Sequence, residues 1–141
     1  MNRHRFVWHD LNTKDLDGAK QFYGEVFHWK FDGSANGPYV HITAGDQMIG
    51  GMTYTLLNRP GVNTPKGEPV AAAGVMKSPP GVPCSFWLPY VAVENADSLC
   101  ERASRLGANV MVPPTDIPNV GRFACWSDPQ QASIAVLQPA R

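Results

Sequence analysis

The chain states one pattern twice. Phe6-Val7-Trp8-His9-Asp10-Leu11 is an apolar, strand-like run, and Leu16, Ala19, Phe22, Tyr23, Val26 and Phe27 then share one helical face. About eighty positions on, Phe86-Trp87-Leu88-Pro89-Tyr90-Val91-Ala92-Val93 leads into a second stripe of Ala96, Leu99, Cys100, Ala103 and Leu106. A repeat of that length is a structural unit stacked on its copy. Two curved half-sheets side by side enclose a cleft, and clefts are where small molecules bind.

The remaining elements follow from turn and cap chemistry. Asp15 is placed to N-cap the first helix, because a short acidic side chain accepts hydrogen bonds from free backbone N–H groups. Residues Trp29 to Phe31, Tyr39 to Thr43 and Met48 to Leu56 read as strands. In the second half Asn95 caps the helix and Gly107 ends it, where a left-handed residue is favoured. Asn109 to Val112 is a strand, Pro113 to Pro118 a stiff connection, and Arg122–Ser127 with Ser133–Leu137 a hairpin. The expected fold class is α+β: two βαβββ modules forming curved mixed sheets around a cleft. One domain, 1–141, holds repeats at about 5–57 and 84–139, joined by a linker at 58–83 dense in proline and glycine.

Composition narrows the function. Twelve basic residues balance twelve acidic ones and charged residues make up 17%, so no electrostatic footprint for nucleic acid or anionic membrane is present. No apolar run is long enough to span a bilayer, and Met1-Asn2-Arg3-His4-Arg5 enters the first strand without a signal-peptide pattern. Cys84, Cys100 and Cys125 are odd in number and set among apolar residues, which reads as buried, reduced thiols in a cytoplasmic protein.

At this point the chain resembles the vicinal oxygen chelate superfamily of glyoxalase I, bleomycin-resistance proteins and extradiol dioxygenases, in its glyoxalase-like branch. The residues that carry the likeness are Trp8-His9-Asp10-Leu11, Ala19, Phe22-Tyr23 and Phe27-His28-Trp29 in the first half. In the second they are Tyr90 to Val93, Leu106-Gly107-Ala108, Val112 to Pro118, Gly121 to Ala124, Asp128-Pro129 and Gln138-Pro139. The resemblance implies a shared scaffold on which unrelated chemistries occur, some members only binding ligands. It also implies homodimerisation.

Metal-using members of that superfamily take ligands from four strand positions, two per half. By the resemblance His9 occupies the first, and it is the one family-position candidate. Pro89 stands at the matching place in the second half, Ala135 near the usual final glutamate, and Gly50-Gly51-Met52 in the remaining region. One imidazole cannot hold an exchangeable ion, so no metal and no cofactor are expected. His28, His41 and His4 add no donor pair at helical spacing.

If His9 points into the cleft, strand alternation sends Val7 and Leu11 there too, and the repeat adds Trp87, Pro89 and Val91. Gly51 lies where a bulge or a close approach by a ligand would need a bare backbone. The ligand-binding cleft is thus expected at His9, Val7, Leu11, Gly51, Trp87 and Val91, with no catalytic residue assigned. Asp116 and Arg122 bracket a loop as a surface ion pair. The expected function is binding of an apolar or aromatic small molecule beside a degenerate metal site. The alternative is a metal-dependent lyase or dioxygenase using His9.

Overall fold

In the computed structural model residues 4–27, 30–32, 47–49, 52–58, 71–78, 80–118 and 120–140 are described. The elements are β1 (Phe6–Thr13), α1 (Leu16–Phe27), β2 (Lys30–Asp32), β3 (Gln47–Ile49), β4 (Met52–Asn58), β5 (Ala71–Lys77), β6 (Phe86–Ala92), α2 (Ala96–Arg105), β7 (Asn109–Ile117), β8 (Gly121–Ser127) and β9 (Ser133–Pro139). Among the described residues no helix is long and apolar enough to cross a membrane.

The chain divides into two compact units, one of His9–Trp87 and one of Leu88–Arg141 together with Met1–Trp8. The first has the strand order β2-β4-β5-β1, with β3 also on β4. That order ends in the parallel pair β5 and β1, in which Asp10 sits opposite Gly74, Leu11 opposite Val75 and Asn12 opposite Met76. The second has the order β6-β9-β8-β7, again with a parallel pair at one end, Tyr90 opposite Ala135. Each unit therefore joins its opening strand to its closing strand through a helix and an antiparallel excursion, which is the expected α+β repeat.

Caps explain where the helices begin and end. Asp15 Oδ1 accepts from the Gly18 amide at 3.0 Å, and Asn95 Oδ1 from the Ser98 amide at 2.9 Å, so both expected N-caps are in place. Gln138 on β9 adds a second acceptor for α2, taking the Ala96 amide at 3.0 Å. Gly107, at φ 100, closes α2. The α2 core gathers Val93, Ala96, Cys100, Ala124 and Val136. Beneath α1 a smaller cluster holds Leu11, Ala73 and Val75 against Leu16, Ala19 and Tyr23. Phe22, Val26 and Phe27, expected to be buried with them, are exposed.

Several boundaries differ from expectation. The segment 58–83 is not a linker throughout: Ala71–Lys77 is β5, the neighbour of β1. Small residues and a glycine give this buried strand no alternation to read, and the flanking prolines conceal it. The first repeat consequently runs to Lys77 rather than ending near 57. Met48 to Leu56 is two strands, with Ile49 paired to Met52. Strand β7 continues through Pro113 and Pro114 to Ile117, at the end of the strand order and with register shifts between Val110 and Thr115. An end position and irregular register let a strand absorb prolines that cannot donate to a ladder. The strand expected at Tyr39 to Thr43 lies outside the described residues.

Candidate functional site

The phase of β1 decides what faces what. Leu11 packs with Leu16, Ala19 and Tyr23 of α1, so the alternation of a strand sends Val7 and His9 to that side as well. His9 is exposed. The opposite row of β1 carries Asp10 and Asn12, 2% and 5% exposed. Beside them on β5 lie Gly74 and Met76, of which Met76 is 6% exposed. The unit His9–Trp87 thus buries a carboxylate and a carboxamide, two residues apart, on the sheet face away from its helix.

This inverts the expected register. Val7, His9 and Leu11 belong to the helix-side row rather than to the face away from it. Trp87 also lies against α1, its Nε1 donating to the Tyr23 hydroxyl at 3.2 Å with the two rings edge to face. Val91 packs into the cluster under α2. The physical reason is that apolar residues fall at odd and even positions of β1 and β6 alike, so neither row is marked by polarity. The polarity of His9 then set the phase. A stronger signal was present: Asp10 is an ionisable residue inside an apolar run, and such a group is buried only with a reason. Gly51, His28 and His41 lie outside the described residues. His4 is held by its amide, which donates to the Ala92 carbonyl at 3.1 Å.

Polar chemistry on the row is partly unmet. Asn12 Nδ2 is buried without a hydrogen-bond partner, and so is Ser78 Oγ. The Ser78 amide donates to the Thr13 carbonyl at 2.8 Å, which fixes it at the same end of the β1–β5 pair as Asn12.

A divalent ion needs several donors converging on one centre. Among the described residues no three His, Cys, Asp or Glu side chains group to hold one. Asp10 and His9 stand on opposite rows of one strand and cannot share a centre. Pro89 on β6 carries no donor, and Ala135 on β9 is fully buried. These residues do not fit the ion that some members of the fold use.

Elsewhere the polar groups build structure. Arg122 on β8 grips Asp97 through Nε at 2.8 Å and a terminal nitrogen at 2.9 Å, and reaches Asp116 at 3.0 Å. The expected Asp116–Arg122 pair exists, and Asp97, in the first turn of α2, is a third member that sequence reading missed. The Arg122 guanidinium holds the Asp97 carboxyl below the usual carboxylate range, and the two carboxylates raise Arg122 in turn. Cys100 and Cys125 are buried as expected, whereas Cys84 is exposed, and none forms a disulfide. Burial, reinforced by Asp97 and Glu101, pushes the Cys100 thiol up, which makes it a poor nucleophile.

Repeated units, each with a helix and a parallel pair joining its opening and closing strands, define a glyoxalase-type scaffold. The model of the Glyoxalase/Bleomycin resistance protein/Dioxygenase superfamily matches residues 5–136, and the chain belongs to that superfamily. CFP32 of Mycobacterium tuberculosis and Mycobacterium bovis, which carries the name glyoxylase, is 36% identical over 138 residues, covering 95% of this chain and 44% of the relative. The anthracycline biosynthesis protein DnrV of Streptomyces peucetius is 27% identical over 134 residues, covering 92% and 45%. The chain thus spans less than half the length of these curated relatives. Among solved structures, methylmalonyl-CoA epimerase from Mycobacterium tuberculosis matches with a TM-score of 0.57 at 16% identity, over 96% of this chain and 88% of that one. A variant of 4-hydroxymandelate synthase from Streptomyces coelicolor matches with a TM-score of 0.56 at 16% identity, over 100% and 40%. At such identities these two likenesses concern the fold alone.

Proposed function

We propose that this chain is a small-molecule binding module whose ligand contacts the Asp10–Asn12 row of β1, without a divalent metal at that place. The observation that carries the reading is the burial of both polar side chains on the face away from α1, with Asn12 Nδ2 unmet. Burying a polar group without a partner costs stability, and a binding site is where such a cost is recovered. Gly74 and Met76 are their register partners on β5, a bare backbone position and an apolar side chain, the composition common in ligand pockets. An apolar or aromatic body on the ligand suits that pair. The names of the relatives, from glyoxylase to anthracycline biosynthesis, agree with small organic ligands.

Two measurements test this. In a fragment screen by 15N NMR, hits are expected to move the amides of Asp10, Asn12, Gly74 and Met76. Hits that move only α1 or α2 would remove the assignment. Elemental analysis of protein purified without chelators is expected to find no stoichiometric zinc, iron, manganese or nickel; a full equivalent would overturn the metal-free part. Homodimerisation and cytoplasmic residence belong to the same proposal. Exposed Phe22, Val26 and Phe27 offer apolar surface for the first, read by light scattering, and cysteines without disulfides support the second.

A further inference from the structure

We infer that the ligand is a neutral carbonyl compound, a ketone, ester or carboxamide, whose oxygen accepts from Asn12 Nδ2. The inference rests on the binding reading above and names the chemistry it selects. An amide nitrogen carries two N–H groups and no acceptor capacity, so only an acceptor can satisfy it. Asn12 is 5% exposed and its Nδ2 lacks a partner. Leaving such a donor unmet costs on the order of tenfold or more in the folding equilibrium. The unmet hydroxyl of Ser78, beside the same strand ends, can donate to or accept from the same ligand.

Burial decides the charge of the ligand. Asp10, two residues before Asn12 on the same row, and Asn12 itself are 2% and 5% exposed. A ligand carboxylate brought to Asn12 would lose its hydration there for the sake of one neutral donor. A neutral carbonyl meets the Asn12 donor without that penalty. Met76, buried on the same row, favours an apolar body attached to the carbonyl.

Three probes of similar size separate the possibilities: acetophenone, which has a neutral carbonyl; ethylbenzene, which has no acceptor; and benzoate, which is anionic. Their dissociation constants are measured by saturation-transfer NMR on wild type, Asn12→Leu and Asn12→Asp. Acetophenone is expected to bind wild type about tenfold more tightly than ethylbenzene or benzoate. Both variants should erase the gap between acetophenone and ethylbenzene. Without probe, Asn12→Leu should melt higher than wild type, because it replaces an unmet donor with a group of similar volume. Equal affinity for acetophenone and ethylbenzene would overturn the inference while leaving the binding reading intact. Benzoate binding tightest, or a folded Asn12→Leu melting no higher than wild type, would overturn it too. No transfer from any probe would remove the binding reading and this inference together. Should Asn12→Leu not fold, Asn12→Asp keeps the side-chain shape, and the wild-type ranking needs no variant.

Discussion

Arg122 shows what one residue does in this scaffold. Its planar fork joins the first turn of α2, through Asp97, to β7, through Asp116. Asp97 is more than half exposed, so solvent screens the pair and its contribution is small. Its sign with pH is nevertheless fixed. Asp97 has a folded pKa below its ordinary value near 3.8, so the stabilisation is fully present above that value and is lost as pH falls through the lowered one. Urea denaturation should show Arg122→Ala less stable than wild type at neutral pH, with the gap closing only in acid below about 3.8. A gap that widened in acid would contradict the assignment. Sequence reading found half of this cluster because Asp116 and Arg122 flank one loop. Asp97 was invisible, since only the packing of α2 on the sheet brings it to Arg122. Asp10 was the opposite case: its identity was legible, and what failed was the phase of the strand that carries it.

At the scale of elements, legibility followed amphipathicity. Both helices, both N-caps and the β8–β9 hairpin announce themselves through one-sided apolar patterns and cap residues. The stripe on α1 had the right angle but only half the expected burial: Leu16, Ala19 and Tyr23 pack, while Phe22 and Phe27 stay exposed. Strand β5 was hidden because a strand buried on both faces has no polar face to mark it. Its reassignment from linker to core strand can be tested directly. Val75 is 0% exposed and packs with Leu11 and Ala73. Val75→Ala should cost about 2 kcal/mol, the lost transfer energy plus a residual cavity. Val82, half-buried in the connection before β6, serves as control, and Val82→Ala should change stability by less than about 0.5 kcal/mol. Equal effects in chemical denaturation would return residues 71–77 to the status of a connection.

At the scale of the whole molecule, β1 is divided between the two units. Its first residues, to Trp8, count with the unit Leu88–Arg141, and from His9 onward it belongs to the other unit. Just ahead of the strand, His4 and Arg5 exchange backbone hydrogen bonds with Ala92 at 3.1 and 2.9 Å. Further along, Asp10 to Thr13 run parallel to Gly74 to Lys77. No loop interrupts the strand between these two ladders, so the chain passes from one unit to the other inside a single strand. Independent domains meet through exposed linkers where few contacts cross; here the boundary falls inside one strand, between Trp8 and His9. The two units should therefore open together. Native-state hydrogen exchange of the Val75 amide in one unit and the Val136 amide in the other should converge on one opening free energy and one denaturant slope. A lower plateau for either amide would mean that its unit melts alone, and that β1 is divided energetically at Trp8 and His9 rather than shared.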